Sequence, residues 1–179
     1  MNQKNTIIYF GMGCFTDTDV TVVKQLQKEY SVHWYVLHQP HDPYPVSFYV
    51  DFVKNSGVKL HMLHITNRRR SFKVLKLMFK TFTEIVELSP SLIYSCCFDF
   101  YFSLAYLIKA KSIPLVFGVH DVIQHSDNRN SIFYHLSYRF SLFVGDVFLQ
   151  FSSNQNRVFK QLYPKLKSSM VGMSIKDFG

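Results

Sequence analysis

Three cysteines, one tryptophan and only 12 acidic residues against 20 lysines and arginines mark what this 179-residue chain is short of. An odd number of cysteines, two of them adjacent at Cys96 and Cys97, excludes a disulfide framework, because neighbouring residues cannot close an unstrained bridge. The three thiols are expected to be reduced and buried. No CxxC or HxxxH spacing is present, so no metal centre is expected. Long apolar runs are also missing. Stretches such as Ile113–Val119 fall far below the roughly 20 residues that a membrane-spanning helix needs. The opening "MNQKNTIIYF" has one lysine and a strand's worth of apolar residues, which is not the pattern of a secretory signal. A cytoplasmic location is therefore expected.

What is there is apolar and aromatic, 47% and 17% of the chain, with no low-complexity tract, and the length suits one domain with a substantial core. No linker or internal repeat divides it. The formal charge of +8 favours an anionic partner. Nucleic acid is disfavoured as that partner, because helix-turn-helix spacing, zinc knuckles and RNP-like strands are absent and the lysines are spread over several helices.

Periodicity orders the chain. "TIIYFGMG" is a short apolar strand running into glycines, and "DTDVTVVKQLQKEY" has Val20, Val23 and Leu26 at helical spacing, with Asp17 or Thr18 as N-cap. "SVHWYVLH" is a second strand, and "QPHDPYPVS" reads as a loop before a third strand in "SGVKLHMLHI". A helix over 71–88 places Leu75, Phe79, Phe82 and Val86 on one face. "LIYSCC", "IPLVFGV", "DVFLQF" and "SSMVGM" follow as strands, separated by helices in "FDFYFSLAYLIKAK", "SIFYHLSYRFSLF" and "SSNQNRVFKQLY". Strands apolar almost throughout, alternating with helices, indicate a sheet covered on both faces. The expectation is an α/β, doubly wound, Rossmann-like three-layer α/β/α sandwich with a mostly parallel sheet of about seven strands.

Ligands of such folds bind at the carboxyl ends of the strands, where Gly11, Gly13, His38, Cys97, His120, Asp121 and Ser153 fall. "GMGCFTD" has Thr16 where a dinucleotide fingerprint has its third glycine, and the second strand ends in Leu37-His38 rather than an acid, so NAD is disfavoured. No GxxxxGK[ST] is present. No cofactor is expected.

"SLIYSCCFDFYFSLAYLIKAKSIPLVFGVHDV" and "NSIFYHLSYRFSLFVGDVFLQFSSNQNRVFKQLYP" resemble the amino-terminal domain of GT-B fold glycosyltransferases, in particular the retaining family 4. The shared features are an Ile-Pro ahead of a strand that ends in His-Asp, then a helix, then a strand ending in a serine with an arginine four positions on, here Ser153 and Arg157. The wording is close from about Leu92 to Pro164. The sequence departs from the family where a Pro-His-Gly commonly follows the last strand, since "VGMSIKDFG" has neither proline nor histidine.

The resemblance implies a single acceptor-side domain over residues 1–179, with the nucleotide-sugar-binding domain absent from this chain and no activity from the fragment alone. It implies sugar transfer from a nucleotide-sugar to a saccharide or lipid-linked acceptor, in cell-surface polysaccharide synthesis. His120 then lies near the reacting carbon as an orienting group, with Asp121 beside it. Gly11 and Gly13 let the first loop approach the donor phosphates or the acceptor. Asp99, Tyr101, His125 and Arg129 flank the same edge as readers of acceptor hydroxyls or phosphate, and Ser153 caps the following helix with a secondary ligand role. The alternative is a stand-alone Rossmann-like domain that binds a small anion without catalysis. Finally, Arg68, Arg69 and Arg70 precede a helix whose Lys73, Lys76 and Lys80 share one face, a solvated charged face or a peripheral contact with the anionic inner membrane surface.

Overall fold

The computed structural model describes residues 4–66, 71–120, 122 and 132–172. Among them the order is β1 (Thr6–Met12), α1 (Thr16–Leu26), β2 (Ser31–His38), α2 (Val46–Val53), β3 (Lys59–His64), α3 (Phe72–Glu87), β4 (Leu92–Ser95), α4 (Phe100–Lys109), β5 (Leu115–Val119), α5 (Ile132–Val144), β6 (Val147–Gln150), α6 (Ser153–Leu162) and β7 (Ser168–Met170). A 3-10 turn, Gly13–Phe15, joins β1 to α1. The strands form one sheet in the order β3-β2-β1-β4-β5-β6-β7, and every pairing is parallel.

The strand sequences explain why both faces are covered. Along β1, Ile7 and Tyr9 point to one side and Ile8 and Phe10 to the other, all buried, so neither face tolerates water. Val23 of α1 and Tyr49 of α2 pack on the Tyr9 side with Trp34 and Tyr94. Phe82 of α3, Phe102 of α4, Tyr138 of α5 and Phe159 of α6 pack on the Phe10 side with Phe117 and Phe148. Connections from β1 run outward through α1 and α2, and those from β4 run the opposite way through α4, α5 and α6. The direction therefore reverses between β1 and β4, which places a topological switch point at their carboxyl ends.

Several local expectations are corrected. The loop before the third strand ends at Pro45, and α2 follows it. The proline signals are real, but they precede a helix rather than a strand. Helix α3 buries Val74, Met78, Phe82 and Ile85, while Leu75 and Phe79 sit half-buried on its shoulder and Val86 is exposed. Both apolar stripes exist in the sequence, and the sheet takes the one that is one residue earlier. Neither Asp17 nor Thr18 caps α1: Phe15 holds the N-cap position, and Thr16 donates its hydroxyl to the Gly13 carbonyl and pairs with the Tyr49 hydroxyl. Cys96 and Cys97 are buried, but Cys14 is exposed, and no disulfide joins them.

Candidate functional site at the carboxyl edge of the sheet

β5 runs Leu115–Val119 and delivers His120 at its carboxyl end. The half-buried imidazole lies between two phenyl rings, one from the turn after β1 and one from the residue after β6. Phe15 is 4.8 Å away and within 9° of parallel, and Phe151 is 4.8 Å away at 31°. Three loops from separate strands thus meet on one histidine. Two residues on, the Val122 amide donates to Gln155 Oε1 at 3.0 Å, which ties this turn to α6. An imidazole held by its faces keeps its edge nitrogens in a fixed direction, and the Nε2 of His120 is buried.

Beneath the edge, on the α1 side of the sheet, lies a second group of polar side chains. The Tyr9 hydroxyl donates to Asp19 Oδ1 at 2.7 Å, Tyr9 stacks on Tyr94 at 5.0 Å, and the Tyr94 hydroxyl meets Cys96 Sγ at 3.5 Å. Burial dominates their ionisation. It lifts the Asp19 carboxyl to about 8 from 3.8, with the Tyr9 hydrogen bond pulling the other way, and it pushes the Cys96 thiol up to about 12. Cys96 is therefore a packed thiol and not a nucleophile. Asp19 Oδ2 and the Trp34 indole nitrogen are fully buried with no hydrogen-bond partner, an exception to the usual satisfaction of buried polar atoms.

The glycines serve this group. A Cβ at Gly11 would fall within the Asp19 carboxyl group, and one at Gly118 would collide with the Tyr94 hydroxyl and Cys96 Sγ. At Gly13 the same space is taken by Asp42, whose Oδ2 also accepts from the Gln39 amide at 2.7 Å. Gly11 near the end of β1 and Gly13 in the turn after it thus make room for two carboxyl groups of the protein itself, a use beside the expected approach of the first loop to the donor phosphates or the acceptor.

The remaining expected residues divide. Asp99 is the N-cap of α4, accepting from the amides of Tyr101 and Phe102 at 2.8 and 3.1 Å. Together with Tyr101, it lines a cavity of about 360 Å³ between α4 and α5, whose other walls are Phe100, Phe133, Leu136 and Ser137. With Asp99 Oδ1 taken up by the cap and Ser137 donating to the Phe133 carbonyl, the lining is largely aromatic and aliphatic. Ser153 is not the cap of α6. It is the first helical residue and exposed, while Ser152 accepts from the Gln155 amide at 3.2 Å. Asp121, His125 and Arg129 lie outside the described residues, as do Arg68, Arg69 and Arg70. His38 at the end of β2 shares a hydrogen bond with the Tyr44 carbonyl at 3.0 Å.

Sequence reasoning missed Phe15, Phe151, Gln155 and Asp19. The first two had a signal, since each follows a strand at the edge that carries His120. It also missed Gln150, fully buried at the end of β6, whose amide nitrogen and oxygen have no partner. Groups of three or more potential metal ligands are absent among the described residues.

No protein-family model and no curated protein matches the chain. Solved structures do. A UDP-GlcNAc 2-epimerase from Neisseria meningitidis bound to UDP-GlcNAc superposes with a TM-score of 0.62 at 12% identity, over 94% of this chain and 46% of that one. Acinetobacter baumannii MurG gives 0.59 at 14% identity, over 98% and 47%. The Arabidopsis thaliana UGT89C1 complexed with UDP-L-rhamnose gives 0.57 at 12%, over 96% and 52%. The chain thus spans about half the length of the solved structures it matches. These neighbours are GT-B glycosyltransferase-like folds, and at such identities the likeness is one of fold: a seven-stranded Rossmann-like α/β domain of the kind found in nucleotide-sugar enzymes.

Proposed function

We propose that this chain is the acceptor-side half of a glycosyltransferase that moves a sugar from a nucleotide-sugar to a saccharide or lipid-linked acceptor, as in cell-surface polysaccharide synthesis at the cytoplasmic face of a membrane. The observation that carries the reading is His120, clamped between Phe15 and Phe151 at the carboxyl edge of a sheet shared with nucleotide-sugar enzymes. His120 is the orienting group for the transferred sugar, in a retaining transfer that works by positioning and charge stabilisation and uses no enzyme nucleophile. Asp121 supports it from the next position. The cavity beside Asp99 and Tyr101 receives the less polar part of the acceptor, and the lysines of α3 face the acidic leaflet.

The competing reading, a binding module for a small anion, draws on the net positive charge and the glycine loop. Asp19 and Asp42 fill the space beside those glycines, and Asp17 is a second acid in the first turn of α1, so the loop is a poor seat for phosphate.

Backbone amide NMR on the labelled full gene product titrated with UDP, with UDP-GlcNAc and with inorganic phosphate distinguishes the two. Transfer chemistry predicts shifts concentrated at His120, Phe15, Phe151 and Gln155, larger for the sugar nucleotide than for inorganic phosphate. Shifts confined to residues 11–16 and equal for phosphate would support the anion module instead.

A further inference from the structure

The exposed apolar surface is unevenly placed. Of the ten large apolar side chains exposed among the described residues, eight belong to α3, α4, α5 and α6, the layer that covers one face of the sheet. Helix α5 is the extreme case. Its inward side buries Tyr138, Leu142 and Val144, yet its outward side presents Ile132, Leu136 and Phe143 at 76, 52 and 73% exposure. Spacings of four and seven residues stack these on one stripe. The half-buried Phe140 extends that stripe: it stacks on Phe143 at 6.2 Å and meets Phe100 of α4 at 5.0 Å. A helix apolar on both sides is one whose outer side is covered by something other than water.

Charge identifies the cover. Helices α3 to α6 carry seven lysines and arginines against two glutamates, whereas α1 and α2 on the opposite face carry Asp17 and Asp51 against Lys24, besides the buried Asp19. Arg139 borders the α5 stripe, and Lys73 adjoins Phe72, the most exposed of the large apolar residues at 78%. Packing this face on a second copy of itself would set like charges against one another around the apolar stripe. An anionic bilayer satisfies both features at once, since its headgroups pair with the lysines and arginines and its acyl boundary takes the phenyl and aliphatic groups.

We propose that the outer face of α3–α6, with the Ile132–Leu136–Phe143 stripe of α5 as the inserting element, docks on an anionic lipid surface. The proposal deepens, and rests on, the membrane contact of the function proposed above, and Leu136 of the stripe also lines the cavity beside Asp99.

Co-sedimentation of the full chain with extruded vesicles tests it. Wild-type protein is expected to pellet with vesicles of phosphatidylcholine containing phosphatidylglycerol, weakly with phosphatidylcholine alone, and less with the anionic vesicles as salt is raised. Leu136→Ser/Phe143→Ser is expected to lower the partition coefficient roughly tenfold or more. Lys73→Gln/Lys76→Gln/Lys80→Gln is expected to remove most of the salt dependence, and Val50→Ser on the opposite face to change nothing. All these side chains are exposed, and unchanged circular dichroism confirms that each variant folds. The proposal is overturned if wild type does not pellet with the anionic vesicles, or if the α5 double variant pellets equally well. It is overturned too if wild type sediments as a dimer that the α5 double variant converts to monomer, which would make the stripe an interface between copies.

Discussion

Replacing Asp19 with asparagine is expected to abolish most of the fall in stability between about pH 4 and pH 8. The carboxyl of Asp19 is fully buried and held near 8 by that burial, against 3.8 for an exposed aspartate. Below about 4 both folded and unfolded chains carry the proton, and the stabilising contribution is complete. As pH rises toward 8 the unfolded state loses its proton while the folded state must keep it, so stability falls with pH until the folded carboxyl also ionises. The accumulated cost is on the order of 5 kcal/mol. Asparagine mimics the neutral acid, and its Oδ1 still accepts from the Tyr9 hydroxyl. Urea midpoints measured across this range should converge for the two proteins at pH 4 and separate at pH 8, with the variant the more stable. Parallel curves would mean that Asp19 is ionised in the folded protein.

Phe117→Ala should cost about 3–5 kcal/mol, as for a large ring removed from a closed core. Its ring, fully buried, stands among Phe98 at 4.7 Å, Phe148 at 6.0 Å and Phe102 at 6.1 Å, which come from the loop after β4, from β6 and from α4. The cavity has no simple way to collapse, because Gly145 and Phe148 already pack closely against each other. Phe117 also lies three residues before His120, on the short strand that delivers it, so the loss should loosen the site as well as the core. Chemical denaturation of Phe117→Ala beside Phe143→Ala separates burial from ring chemistry, since Phe143 is exposed and its loss should stay within about 0.5 kcal/mol. A cost for Phe117→Ala below about 1 kcal/mol would show that the α3–α6 side is not packed as described.

The fold was legible because its signals are local and repeated. Seven apolar runs alternating with helical periodicity have one economical solution, a parallel sheet buried on both faces, and the structure has it. What was not legible depends on choices made between elements. Helix α3 carries two plausible apolar stripes that share Phe82, and only packing against the sheet selects Val74, Met78 and Ile85 over Leu75, Phe79 and Val86. Ser152 and Ser153 are chemically equivalent candidates for capping α6, and backbone geometry decides for the first. The site followed the same rule. His120 stood out because a histidine at the end of an apolar strand is conspicuous, but its phenyl neighbours come from residues 105 positions before and 31 after it. The glycines of "GMG" were visible as glycines, and their purpose was not, because Asp42 reaches Gly13 from a loop 29 residues away.

In the proposed function a nucleotide-sugar is consumed at the edge that holds His120. This is tested most directly by supplying the full gene product with UDP-sugars and candidate acceptors, measuring UDP release and sugar transfer, and repeating the assay with His120→Ala. The account predicts acceptor-dependent UDP release, with turnover in His120→Ala lowered by roughly two orders of magnitude or more and its folding unchanged. UDP-sugar turned over to an epimer with no transfer, or transfer that persists undiminished in His120→Ala, would contradict it.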